Sequence, residues 1–145
     1  MRVPARILVA DDDKLMHALL SDLLAEAGYV VLLAWDGEEA LAKARAESPD
    51  LILLDILMPK KNGIQVAQDL KGEAGTCDIP IVIVSSLAGT PAAQVSKAEA
   101  YLQKPIDPHD LMETVWKLLA ARRCASSSIG GSSLQPSPLP GRGPG

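Results

Sequence analysis

Short apolar runs that stop abruptly at carboxylates constrain this chain more than any other feature. Ile7-Leu8-Val9-Ala10 runs straight into Asp11, Asp12 and Asp13, and Leu51-Ile52-Leu53-Leu54 runs into Asp55, with Met58-Pro59 and Gly63 close behind. Runs of about four apolar residues bounded by polar ones read as strands buried on both faces, as in a parallel sheet, whose functional crevice lies outside the strands' carboxyl ends. Acids from two such strands meet on one edge. Like charges a few ångströms apart raise each other's pKa unless a cation neutralises them, so the cluster has the makings of a site for a hard metal ion.

Helical spacing fills the intervals between strands. Met16, Leu19, Leu20, Leu23, Leu24 and Ala27 recur at that spacing up to Gly28, which suits the left-handed residue just past a helix end. Tyr29 to Ala34 reads as a second strand, Asp36-Gly37 as a cap, and Glu38 to Glu47 as a helix stopped by Ser48-Pro49. Leu51 to Leu54 is the third strand, Gly63 to Lys71 the third helix, and Ile81 to Val84 the fourth strand. An Ala-rich segment around Ala92 to Ala98 reads as a fourth helix, and Tyr101-Leu102-Gln103 as a fifth strand. Asp107-Pro108 supplies a cap and a first-turn proline for a last helix with Leu111, Met112, Val115, Leu118 and Leu119 on one face. Strands alternating with helices predict a doubly wound α/β fold, a five-stranded parallel sheet of flavodoxin-like order 2-1-3-4-5 with helices on both faces.

Composition narrows the function. In 145 residues there is room for one domain, taken as residues 1–123. Residues 124–145 turn to Ser, Gly and Pro and read as a flexible tail or linker, either the natural end of the chain or the start of a connection to an effector domain. Net charge is −4 with signs interspersed, so no basic stripe points to direct nucleic-acid binding. No stretch has the length of a membrane span and the amino terminus lacks the apolar core of a signal peptide, so a cytoplasmic protein is expected. Cys77 and Cys124 have no paired spacing and read as reduced thiols without a role. His17 and His109 read as surface histidines, and Asp13 as the cap of the first helix.

In the expected strand order Asp11, Asp12, Asp55, Lys104 and either Ser85 or Ser86 share one rim: a carboxylate nest flanked by a hydroxyl and an ammonium. Such a set suits a phosphoryl group, with magnesium as the cofactor favoured by oxygen ligands. Asp55, the central acid, is the candidate acceptor, because a carboxylate can carry a phosphoryl group as an acyl phosphate.

At this point the chain resembles the receiver domain of bacterial two-component response regulators, of the CheY type. The resemblance rests on ILVADDD at Ile7 to Asp13, LILLDILMPKKNG at Leu51 to Gly63, IPIVIVSS at Ile79 to Ser86 and YLQKP at Tyr101 to Pro105, and it spans residues 6–121. It implies that Asp55 accepts a phosphoryl group from a sensor histidine kinase or phosphotransfer protein. It also implies that Asp12 binds magnesium directly, Asp11 through water, and that Asp55 and the backbone carbonyl of Leu57 complete the metal ligands. By the same resemblance Ser85 is the switch hydroxyl, Lys104 contacts the phosphoryl group, Tyr101 is the switch aromatic, and Lys104–Pro105 is a cis peptide. The module would then be no enzyme beyond its own phosphorylation and slow dephosphorylation, acting on a downstream partner or effector domain, with a phosphorylation-dependent dimer as a further option.

Departures and rivals bound the carry-over. The interval from Ser85 to Lys104 is shorter than usual for the family, so the fourth helix and the output face transfer least. Asn62 stands where an aspartate is common, and Ile106 where a phenylalanine is frequent. A degenerate receiver serving as a scaffold is opposed by the intact acids and lysine. An aspartate-nucleophile phosphatase of the haloacid dehalogenase type needs a second acid two residues after the nucleophile, and that position is Leu57.

Overall fold

A computed structural model describes residues 4–85 and 98–126, the side chains of 85 and 122–126 excepted. Five parallel strands, β1 (Arg6–Ala10), β2 (Val30–Ala34), β3 (Leu51–Asp55), β4 (Ile81–Ser85) and β5 (Ala100–Gln103), form one sheet. Its order is β2-β1-β3-β4-β5, the flavodoxin-like arrangement expected. The helices are α1 (Lys14–Glu26), α2 (Gly37–Glu47), α3 (Gly63–Lys71) and α4 (Pro108–Ser126). The expected helix at Ala92 to Ala98 lies outside the described residues. Helix α4 continues through Ser126, three residues past the boundary suggested by composition.

Alternation along the strands sorts side chains into two apolar layers. Leu8, Ala10, Ile52, Leu54 and Ile83 pack with Ala40 and Leu41 of α2 and Val66, Ala67 and Leu70 of α3. Ile7, Val9, Leu53, Val82 and Val84 pack with Leu20 and Leu24 of α1 and Leu111, Val115 and Leu119 of α4. All five residues of β3 are buried, which is why its sequence reads as an uninterrupted apolar run up to Asp55.

Local capping fixes the helix ends around the rim. Asp13 caps α1 by accepting from Leu15 N, and Asp36 caps α2 by accepting from Glu39 N at 2.7 Å. The end of α1 is a Schellman turn: Tyr29 N donates to Leu24 O (3.1 Å) and Gly28 N to Ala25 O (3.0 Å), with Gly28 at φ +94°. Tyr29 therefore belongs to the turn, and β2 starts one residue later than the apolar run suggests.

Asn62, which departs from the family's usual aspartate, caps α3 in a reciprocal box: its Oδ1 accepts from Gln65 N (2.9 Å), and Gln65 Oε1 accepts from Asn62 N (3.1 Å). Replacing Asn62 with alanine removes one half of this exchange and is expected to lower the free energy of urea unfolding by about 1 kcal/mol. An unchanged midpoint would show that the box contributes nothing.

Candidate functional site: an acid pocket on the sheet rim

Strand register builds the pocket. Ala10 of β1 pairs with Leu54 of β3, so Asp11 and Asp55, each the next residue, emerge side by side. Asp55 pairs with Val84 of β4, and Ser85 with Gln103 of β5, the residue before Lys104. The backbone of Ser85 thus lies on the rim between Asp55 and Lys104, while its side chain, the expected switch hydroxyl, falls outside the described residues. Asp11, Asp12 and Asp55 each offer an oxygen, and the three lie within 4.8 Å of one another.

These acids differ in surroundings. Asp12 is exposed, whereas Asp11 and Asp55 are buried. Every polar atom of Asp11 has a partner. Its amide donates to Ala34 O at the end of β2 (3.1 Å), and its Oδ1 accepts from Asp13 N (2.9 Å). Its Oδ2 faces Lys104 Nζ at 3.1 Å, and its carbonyl oxygen lies 2.6 Å from His17 Nε2.

Lys104 bridges the two buried acids, with Nζ also 3.6 Å from Asp55 Oδ2. One ammonium cannot balance three carboxylates. Burial, then the negative charge of Asp11, pushes the Asp55 carboxyl up to about 6, against the opposing pull of Lys104. The pocket therefore holds uncompensated negative charge at neutral pH, and its donors are all hard oxygens.

That donor set fits magnesium. Metal–oxygen bonds of about 2.1 Å put two ligands of one ion at most ~4.2 Å apart, so a spread of up to 4.8 Å is closed by a small side-chain rotation or a bridging water. Leu57, whose carbonyl the resemblance adds to the ligands, follows Asp55 by two residues in the loop after β3, and its side chain is 57% exposed. Tyr101 is half-buried on β5 and packs against the layer that carries α2 and α3. The Lys104–Pro105 peptide is cis.

His17 corrects the sequence reading. Far from sitting at the surface, it is 3% exposed and stacks on Trp35, ring centroids 3.8 Å apart and planes 25° from parallel. The signal was present in the spacing His17–Leu20–Leu24, which puts the histidine on the buried stripe of α1. His109 is exposed, as expected. Trp35 carries no such signal, since nothing local in the sequence says that the end of β2 meets α1.

Fold and rim together define a flavodoxin-like module with an acid pocket at the carboxyl edge of its sheet, and comparison with known proteins says which one. The response regulator receiver domain model matches residues 7–116. The chain belongs to that family, the receiver domains of two-component response regulators. It is 38% identical over 119 residues to protein PilH of Pseudomonas aeruginosa, covering 80% of this chain and 98% of PilH. It is 36% identical over 137 residues to a probable transcriptional regulator, ycf27, of Cyanophora paradoxa, covering 90% of this chain but only 56% of that protein. The chain thus spans about half the length of several curated relatives it matches.

Among solved structures, a putative response regulator of Chloroflexus aurantiacus superposes with a TM-score of 0.77 at 31% identity, covering 81% of this chain and 98% of the other. A CheY-like receiver domain protein of Methanospirillum hungatei gives 0.78 at 27% identity, covering 83% and 98%. Receiver domains of this family work with histidine kinases or phosphotransfer proteins. No helix among the described residues is long and apolar enough to cross a membrane.

Proposed function

We propose that this receiver accepts a phosphoryl group on Asp55 from the phosphohistidine of a sensor kinase or phosphotransfer protein, with magnesium in the acid pocket. The observation that carries the reading is the meeting of three carboxylates within 4.8 Å beside the Lys104 ammonium. An oxygen of ionised Asp55 attacks phosphorus, the donor's N–P bond breaks, and the imidazole leaves with the bond's electron pair. Magnesium bound there would supply positive charge to the acids and the phosphoryl oxygens. Asp12 and Asp11 would hold the ion with Asp55 and the carbonyl of Leu57, and Lys104, already beside Asp11 and Asp55, would contact the new phosphoryl group. Ser85 and Tyr101 are the switch residues in this reading. The chain acts on no substrate but itself, and passes the signal to a downstream partner or an attached effector.

Incubation with acetyl phosphate and magnesium, followed by intact mass, tests the proposal. The expected result is a gain of one phosphoryl group that disappears in Asp55→Asn, because an amide is not a competent nucleophile for this linkage. No gain in the parent would favour the scaffold reading, and a gain at the parent's rate in Asp55→Asn would move the acceptor elsewhere.

A further inference from the structure

The chemistry attributed to the acid pocket needs Asp11 to stay in place while its surroundings change charge. Lys104 Nζ lies 3.1 Å from Asp11 Oδ2, so a divalent cation entering the pocket competes with the ammonium for that carboxylate. Whichever cation wins, the other is repelled, and Asp11 is pulled between the two. Its main chain is held on both sides: the amide by Ala34 O, the carbonyl by His17 Nε2. The second hold comes from a side chain whose presence there is not required by the sheet.

His17 makes that contact at a local cost. To donate to a carbonyl, Nε2 must carry the proton, so the neutral ring presents a bare lone pair at Nδ1. Nδ1 is buried and finds no hydrogen-bond partner among the described residues. A buried polar atom left unpaired costs stability, and the site that tolerates one commonly has a function to explain it. The ring is also clamped. Trp35 covers one face, and Trp35 directly follows Ala34, the residue that holds the Asp11 amide. One short corner, Ala34-Trp35, therefore secures Asp11 twice, directly through the amide and through the imidazole it presses into place.

We propose that His17 is a positioning residue of the acid pocket, its Nε2–H holding the Asp11 peptide for cation binding while the stacked Trp35 ring fixes the imidazole. The proposal rests on the reading of the pocket as a magnesium site and names what keeps that site in shape. It depends on a donor at one place, so a side chain that supplies an N–H at similar reach should replace histidine, whereas an apolar one of similar size should not.

The test is a titration of the full chain with magnesium chloride, followed through backbone amide shifts of the loop after β3 by heteronuclear NMR, a measurement that also reports whether each variant is folded. His17→Leu is expected to weaken binding roughly 10-fold, in the range found when groups that orient metal ligands are removed, and His17→Gln to restore most of it. Trp35→Ser, at a residue 40% exposed, should weaken binding several-fold while Trp35→Phe stays close to the parent. Magnesium affinity unchanged in His17→Leu overturns the proposal, as does equal weakening in His17→Leu and His17→Gln, which would mean packing alone matters. Should His17→Leu fail to give a folded spectrum, parent-like binding by Trp35→Ser overturns it instead. A parent that shows no saturable magnesium shift removes the metal reading itself and this proposal with it, an outcome distinct from a parent that binds and variants that bind equally well.

Discussion

Asp55→Asn should make the metal-free protein more stable at pH 7.5, by on the order of 2 kcal/mol. The reason is that the folded protein resists ionising Asp55: burial and the Asp11 charge push its carboxyl up to about 6, whereas an unfolded aspartate titrates near ~3.9. Below the unfolded value the group is protonated in both states and costs nothing. Between the two values the unfolded chain gives up its proton while the native one keeps it, so stability falls as pH rises. Above about 6 the penalty is complete. Two pKa units correspond to roughly 3 kcal/mol, and coupling to Lys104 and Asp11 spreads part of that over the pocket. An asparagine keeps the shape and removes the charge. Urea unfolding of both proteins should therefore show a gap at pH 7.5 that closes toward pH 3.5. Effects of titrating groups outside the pocket cancel in the difference. Tens of millimolar magnesium should narrow the gap at pH 7.5, because binding to the native state alone relieves the repulsion only where Asp55 is charged. A parent at least as stable as the variant at pH 7.5 would contradict the electrostatics of the pocket.

The same pocket shows which parts of the molecule a sequence reveals. Leu51 to Leu54 is buried on both faces and adjacent in space to Ile7 to Ala10. Hence a contiguous apolar run, and the acid at the end of each, locate the rim without coordinates. Lys104 was legible for the same reason, as the residue after a short strand. In α1 the periodicity was right in kind and wrong in detail. Leu19 belongs to the apolar recurrence yet is 43% exposed, while His17 takes the buried place beside Leu20 and Leu24. Residue polarity alone sent a histidine outward. Its burial depends on a carbonyl 2.6 Å away and an indole from another strand, neither of which is local in sequence. Asn62 differs in that its partner is local: read as a departure from a family aspartate, it completes a capping box whose second half, Gln65, stands three residues on. The apolar runs and the strand order they imply were readable, and with them the meeting of Asp11, Asp55 and Lys104; the side-chain contact between the end of β2 and α1 was not.

Gly63 makes a close inter-element contact, and replacing it should have a large structural effect on the Asp55 side of the rim. A β-carbon there would lie 2.2 Å from Asp55 O, 2.9 Å from Asp55 C and 3.1 Å from Ile56 Cα. All three atoms are backbone, so no side chain can rotate away. Gly63 N also donates to Ile56 O at 2.9 Å, which ties the first residue of α3 to the residue that follows β3. The glycine is needed for space, since its φ is not in the left-handed region. Accommodating even one methyl group requires α3 to retreat by about an ångström, which loosens the packing of Val66, Ala67 and Leu70 against the sheet. Alternatively the end of β3 is pushed aside, which moves Asp55 out of line with Asp11. Overpacking of this kind costs about 3 kcal/mol or more where the neighbours cannot relax. Gly63→Ala should therefore unfold at markedly lower urea concentration and bind magnesium more weakly than the parent. Gly75→Ala is the control, because a β-carbon there meets nothing within 4 Å and should leave both properties within experimental scatter. If Gly63→Ala unfolds at the parent's midpoint and keeps its magnesium affinity, the close approach of α3 to the Asp55 peptide is not what holds this side of the pocket.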